Sequence, residues 1–158
     1  MKVSIVPEAA GLIGPDGGVV QLGEGARLSV PAGALNSTVR ISIKRAMPLT
    51  VPDNSKQLFA YGYQFSPVDL VFNKNAELTL PYSHLDLDPD QDDTLEISEQ
   101  KIQLFAWVRD RWLDQTIQTK DTTANLIIAG LNHLGLFALG QKNNLTITAV
   151  KAYWTKNP

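Results

Sequence analysis

Residues 39–44 read VRISIK, which places Val39, Ile41 and Ile43 on one side of an extended chain and Arg40, Ser42 and Lys44 on the other. Successive side chains of a strand face opposite ways, so this alternation belongs to a strand with one face buried. Working outward, FAYGYQF (59–65) alternates Phe59, Tyr61, Tyr63 and Phe65 with Ala60, Gly62 and Gln64. AELTLPY (76–82) alternates Ala76, Leu78, Leu80 and Tyr82 with Glu77, Thr79 and Pro81. Further strands are expected at 19–22, 27–30, 68–72, 102–108, 112–117, 124–129, 133–139 and 145–153. The stretches GPDGG, GEG, PAG, PDNS, FNKN, VRDRW and QKNN supply the turns between them. No window of helical length carries a 3.6-residue apolar stripe, and only TLEISEQKI (94–102) has helix-forming composition. About ten short strands at this spacing predict an all-β fold, an antiparallel β-sandwich.

The 158 residues suit one well-buried domain. With 44% hydrophobic and 19% charged residues, the chain has the composition of a globular protein with a core. A formal charge of -2, with no basic cluster beyond IKRA (43–46), offers a polyanion no attractive field, so nucleic acid is not an expected partner. The absence of cysteine excludes disulfides, thiolate chemistry and cysteine-bound zinc. No apolar run approaches the ~18 residues of a spanning helix, so no membrane insertion is expected. The N-terminus lacks the continuous apolar stretch of a signal peptide; the chain reads as a soluble fragment, with any targeting segment outside it.

In GGVVQLGEGARLSVPAGAL (17–35), a Gly-Gly pair, a short strand, a turn and an apolar strand lead into Pro31-Ala32-Gly33-Ala34-Leu35. Pro31 ends ladder pairing, and Gly33 allows a turn conformation that a β-carbon opposes. This order resembles the opening of the ZU-type domain of zonula occludens proteins, netrin receptors and ankyrins. AELTLPY, an acidic loop, IQLFAWVRDRWLDQT and DTTANLIIAGLNHLGLFALG continue it and are similar to the bacterial extracellular relatives of that domain. The resemblance covers residues 17–140, leaving 1–16 as an N-terminal extension and 141–158 as a C-terminal strand or the start of a following domain. It implies a ZU-like, non-enzymatic structural or protein-interaction module without a cofactor, part of a larger bacterial protein that is extracellular or on the cell surface. Its partners would be neighbouring domains or other proteins, met through an edge strand or an exposed loop.

In some relatives the domain ends in His-Phe-Ser and cuts itself. A serine two residues after a histidine shares its strand face, so the imidazole can take the hydroxyl proton as the oxygen attacks the preceding carbonyl. Here the triplet is His133-Leu134-Gly135, and the hydroxyl is missing. The chain would therefore be an autoproteolytic domain without its nucleophile. His133 is expected to pack on a strand over 133–139, on one face with Gly135, Phe137 and Leu139, with both faces buried.

The sharpest chemical pattern is DPDQDDTLEISE (88–99). A calcium loop of the EF-hand kind needs side-chain oxygens at positions 1, 3 and 5, a carbonyl at 7 and a glutamate at 12. Asp88, Asp90, Asp92, the Thr94 carbonyl and Glu99 fall there, with Leu95 at position 8 and Glu96 at 9. Position 6, usually glycine, is Asp93, which would have to turn left-handed. Two readings stand: a calcium loop in a β context, making this a calcium-stabilised adhesion or carbohydrate-binding module, or a solvated acidic connection. His84 in PYSHLDLD reads as a loop histidine that falls short of a metal site without carboxylate help.

Asp110 and Asp114 flank Trp112, but RDR (109–111) reads as a hairpin tip, which argues against paired-carboxylate catalysis. Trp107 and Trp112 then face each other across that hairpin, a simpler account than a sugar platform completed by Trp154. The glycine-rich stretches lack the Lys-Ser/Thr of a phosphate loop. The purified chain is expected to run as one full-length band on a denaturing gel after prolonged incubation; two complementary fragments would restore autoproteolysis.

Overall fold

The computed structural model describes residues 8–23, 25–46 and 56–142. The strand expected at 145–153, Trp154 and the PDNS turn lie outside the described residues, as does most of the 141–158 segment. The first half carries β1 (Glu8–Ile13), β2 (Gly18–Gln21), β3 (Arg27–Val30), β4 (Val39–Ala46), β5 (Lys56–Leu58), β6 (Gly62–Ser66) and β7 (Val71–Pro81). A one-turn helix α1 (His84–Leu87) and a 3-10 turn (Glu99–Lys101) precede β8 (Gln103–Val108), β9 (Arg111–Gln115), β10 (Ile117–Asp121), β11 (Leu126–His133) and β12 (Leu136–Lys142).

Two antiparallel sheets pack face to face, as the period-two pattern requires. The first runs β1-β4-β6-β12-β8-β9, with β5 also paired to β12; the second runs β10-β11-β7-β3-β2. Ile41, Ile43, Phe65, Leu104 and Phe137 from the first meet Leu28, Leu78, Leu80 and Ile127 from the second in one core. Phe65 and Phe137 are fully buried and set edge to face, with ring centres 5.7 Å apart. Phe105, Trp112 and Ala138 form a smaller cluster with Trp107 and Leu136. Alternate residues of β8 and β12 enter one cluster or the other, so both strands are covered on both faces.

Several expectations hold in detail. β2 and β3 form a hairpin, Pro31 follows the end of β3, and Gly33 has φ 85 with its N–H donated to the Pro15 carbonyl at 2.8 Å. Trp107 pairs with Trp112 across β8 and β9, ring centres 5.1 Å apart, and Arg109 and Asp110 make the two-residue turn with φ 50 and 65.

Other elements differ. Residues 8–13, assigned to an extension, form β1 on β4. Ala9, Gly11 and Ile13 turn inward while Leu12 is 73% exposed, so the apolar alternation is masked by small residues. A β-carbon on Gly11 would lie 3.5 Å from Val20, an ordinary packing distance, so this face is lined by small residues without being closed to an alanine. FNKN is not a turn but a bulge inside β7, for β11 advances from Leu131 to His133 while β7 covers Ala76 back to Val71. Only the second part of FAYGYQF is a strand, β6 from Gly62; Phe59 to Tyr61 connect it to β5, with the Phe59 N–H donated to the Leu139 carbonyl at 2.8 Å. TLEISEQKI yields only the 3-10 turn.

The largest difference falls at His133. The stretch 133–139 is two strands: β11 of one sheet ends at His133, and β12 of the other begins at Leu136. His133 is half-buried, its ring 5.7 Å from that of Phe137. Burial on both faces holds for β12 but not for His133, because the chain changes sheets between them.

Phe65→Ala is expected to cost about 3–5 kcal/mol, since it removes one of two interlocked rings from a core that cannot close over the gap. The urea midpoint should fall with an unchanged denaturant slope.

Candidate metal centre

The acidic loop begins where β7 meets α1. The Ser83 hydroxyl accepts the Asp86 N–H at 3.3 Å, and the Asp86 carboxylate accepts the Ser83 N–H at 2.8 Å, a reciprocal cap that starts the helix at His84. One turn later Asp88 ends it, its N–H donated to the His84 carbonyl at 2.9 Å. The loop is closed at its neck, where the Leu87 carbonyl accepts N–H groups from Glu96 at 2.9 Å and Ile97 at 3.2 Å. Leu87, Ile97 and Ile102 anchor the neck in the core. Gln141 of β12 fastens it further, accepting the Ser98 N–H at 2.9 Å and donating to the Glu96 carbonyl at 3.2 Å.

Within this frame the chain coils around its own carboxylates. Asp88 is buried, 1% exposed, and accepts N–H groups from Asp92 at 3.3 Å and Asp93 at 3.1 Å. Asp90 also accepts the Asp92 N–H at 3.3 Å, and Asp92 accepts that of Thr94 at 2.8 Å. Gln91 and Asp93 take left-handed conformations, φ 57 and 65, so Asp93 makes the turn that glycine makes at position 6. Asp88, Asp90, Asp92 and Glu96 each bring a carboxylate oxygen within 4.8 Å of the others.

Glu96 joins the group from position 9, a common ligand position in calcium loops and the signal that could have selected it from the sequence. Its Oε2 is buried and has no hydrogen-bond partner. Glu99 is occupied elsewhere: at the start of the 3-10 turn, it accepts the Tyr82 hydroxyl at 2.7 Å. Burial and that hydrogen bond push the Tyr82 phenol well above its ordinary range. Thr94 stays in the loop, with its N–H turned to Asp92.

The electrostatics follow from the crowding. Desolvation, then the hydrogen bond with Asp88 and the charge of Asp92, raises the Asp90 carboxyl above its ordinary value. Desolvation, then the charges of Asp90, Asp88 and Asp92, does the same to Glu96. Such a set of hard oxygens matches calcium, which takes several carboxylates in a pliant loop, better than a softer metal. His84 is largely exposed, with Nε2 3.7 Å from Asp88, at the edge of the group.

The remaining sequence candidates separate. Asp110 sits at the hairpin tip, and Asp114 is paired with Lys142. Trp112 is buried against Trp107, so these two do not offer a pair of open rings. No protein-family model matches this chain, and no curated protein does.

Asp90 and Glu96 hold protons more tightly in the folded chain than in the unfolded one. Their contribution to stability is therefore full below the unfolded carboxylate range and lost as pH rises through their raised values. In EDTA, the melting midpoint of the wild type minus that of Asp90→Asn should fall as pH rises above the ordinary carboxylate range, about pH 4. A difference that stays flat or grows would contradict the crowding.

Proposed function

We propose that this chain is a non-catalytic, ZU-like interaction module of a larger extracellular protein, and that its acidic loop takes up one calcium ion that stiffens the module. The observation that carries the calcium reading is the convergence of four carboxylates within 4.8 Å, one of them the buried Asp88. Protein alone leaves this group under-satisfied, because the Asp90 and Glu96 carboxyls resist ionisation and Glu96 Oε2 has no donor. A divalent cation reverses both costs. Extracellular calcium modules bind at roughly 10⁻⁴–10⁻³ M, within reach of such a loop.

A holding role is supported by the architecture. Among the described residues, the outer strands β1 and β9 of one sheet and β2 and β10 of the other pair on one side only, and an extended partner segment can add on such an edge. The loop is tied through Ser98 and Gln141 to β12, so ordering it would brace the strand on which both sheet faces pack.

The test is a thermal melt in EDTA and in millimolar calcium. At about 10 mM calcium, roughly 10- to 100-fold above such a dissociation constant, the folded state gains about 1.4–2.7 kcal/mol, a rise of roughly 3–10 °C for a chain of this size. Asp90→Asn with Glu96→Gln should remove the rise, whereas Glu99→Gln should keep it if the ion is closed by Glu96. Loss in Glu99→Gln alone would return the twelfth position to the ligand set. Superimposable wild-type curves would leave the loop as solvated surface.

A further inference from the structure

At the end of the sandwich away from the acidic loop, a cleft of about 740 Å³ opens where the chain crosses between sheets. Gln64, Val68, Asp69, Trp107, Arg109 and His133 line it. We propose that this cleft binds a small organic monocarboxylate with an apolar body, held at its anionic end by Arg109 and along its body by Trp107 and Val68.

The cleft is built in advance. Its floor is stitched by backbone bonds from the Phe65 N–H to the Gly135 carbonyl at 2.8 Å, Asp69 N–H to Leu134 at 3.0 Å and Leu134 N–H to Leu70 at 2.9 Å. Its volume lies within the range of small-molecule sites, and its lining divides about evenly between polar and apolar surface. Two lining residues also hold conformations that side chains resist: Asp69 has φ 67 and Arg109 φ 50. At the hairpin position of Arg109, asparagine or glycine would fit with less strain, so an arginine there is the unfavourable choice locally.

The polar groups define the charge of the guest. Among the described residues Arg109 makes no ion pair, although a guanidinium is the side chain best matched to a carboxylate. The His133 Nδ1 faces the Asn132 side-chain oxygen at 2.8 Å. An acceptor there requires the proton on Nδ1, which makes Nε2 of the neutral ring an acceptor, so His133 borders the cleft and the carboxylate is left to Arg109. The Asp69 carboxylate in the lining opposes a multiply charged anion. A phosphate would also want backbone N–H donors, and the amides of Asp69 and Leu134 are already spent across the crossover. A single carboxylate remains. For its body, the Trp107 ring is half-exposed and braced from behind by Trp112, and Val68 is 58% exposed.

The experiment is calorimetric titration of the whole chain with benzoate, benzylamine and inorganic phosphate in turn, with Trp fluorescence as a second readout. Saturable benzoate binding is expected, with no matching signal from the other two. Arg109→Asn, which suits the left-handed turn and keeps the fold, should weaken benzoate roughly tenfold or more. Asp69→Asn, equally suited to its backbone, should tighten it. No saturation with benzoate by about 10 mM, equal affinity in Arg109→Asn, or tighter binding of phosphate or benzylamine would each overturn the proposal.

Discussion

The crossing at Leu134 and Gly135 is the constraint on which this sandwich depends. A buried chain that leaves one sheet for another forfeits its ladder partners, and those peptide groups must find others. Here they do so with Phe65 near the end of β6 and with Asp69 and Leu70 of the connection to β7. Two crossovers are thereby locked side by side, which sets how β11 and β12 enter opposite sheets. β12 then lies between β8 and the pair β5 and β6, with Phe137 in the main core and Ala138 in the outer cluster. Gly140 allows the close approach of β5, since a β-carbon there would collide with the Gln57 carbonyl.

The two candidate sites lie at opposite ends of this frame and rest on opposite electrostatics. At one end, carboxylates are forced together by a loop whose neck is pinned by Leu87, Ile97 and Ile102. Repulsion among them would open a free loop; the apolar anchors and Gln141 prevent it. At the other end, Arg109 from the hairpin turn and His133 from the crossing line one cleft. Each place is rigid at its base and chemically incomplete at its rim, which is how a scaffold carries sites without giving up its core.

Much of this was legible in the chain. Wherever a strand turned one large apolar face inward, as in VRISIK and AELTLPY, period two marked it correctly, because burial selects size at alternate positions. The pairing of Trp107 with Trp112 followed from reading RDR as the hairpin tip between them, although Arg111 already belongs to β9 and the turn is Arg109 and Asp110 alone. The acidic group was visible as a spacing of aspartates, and the left-handed Asp93 follows from it as well. β1 escaped notice because its inward residues are small, and the bulge in β7 carries the same polar composition as a turn.

Sequence by itself determined the class of fold, the positions of most strands and the carboxylates that could gather, since these depend on local alternation and spacing. Tertiary structure decided which strands join which sheet, that LNHLGLF divides between two of them, that Glu96 meets the aspartates while Glu99 meets Tyr82, and that Arg109 shares a cleft with His133. The physical reason is the same in each case. Such choices are made by residues far apart in the chain competing for the same partners and the same space, and no local pattern records the outcome.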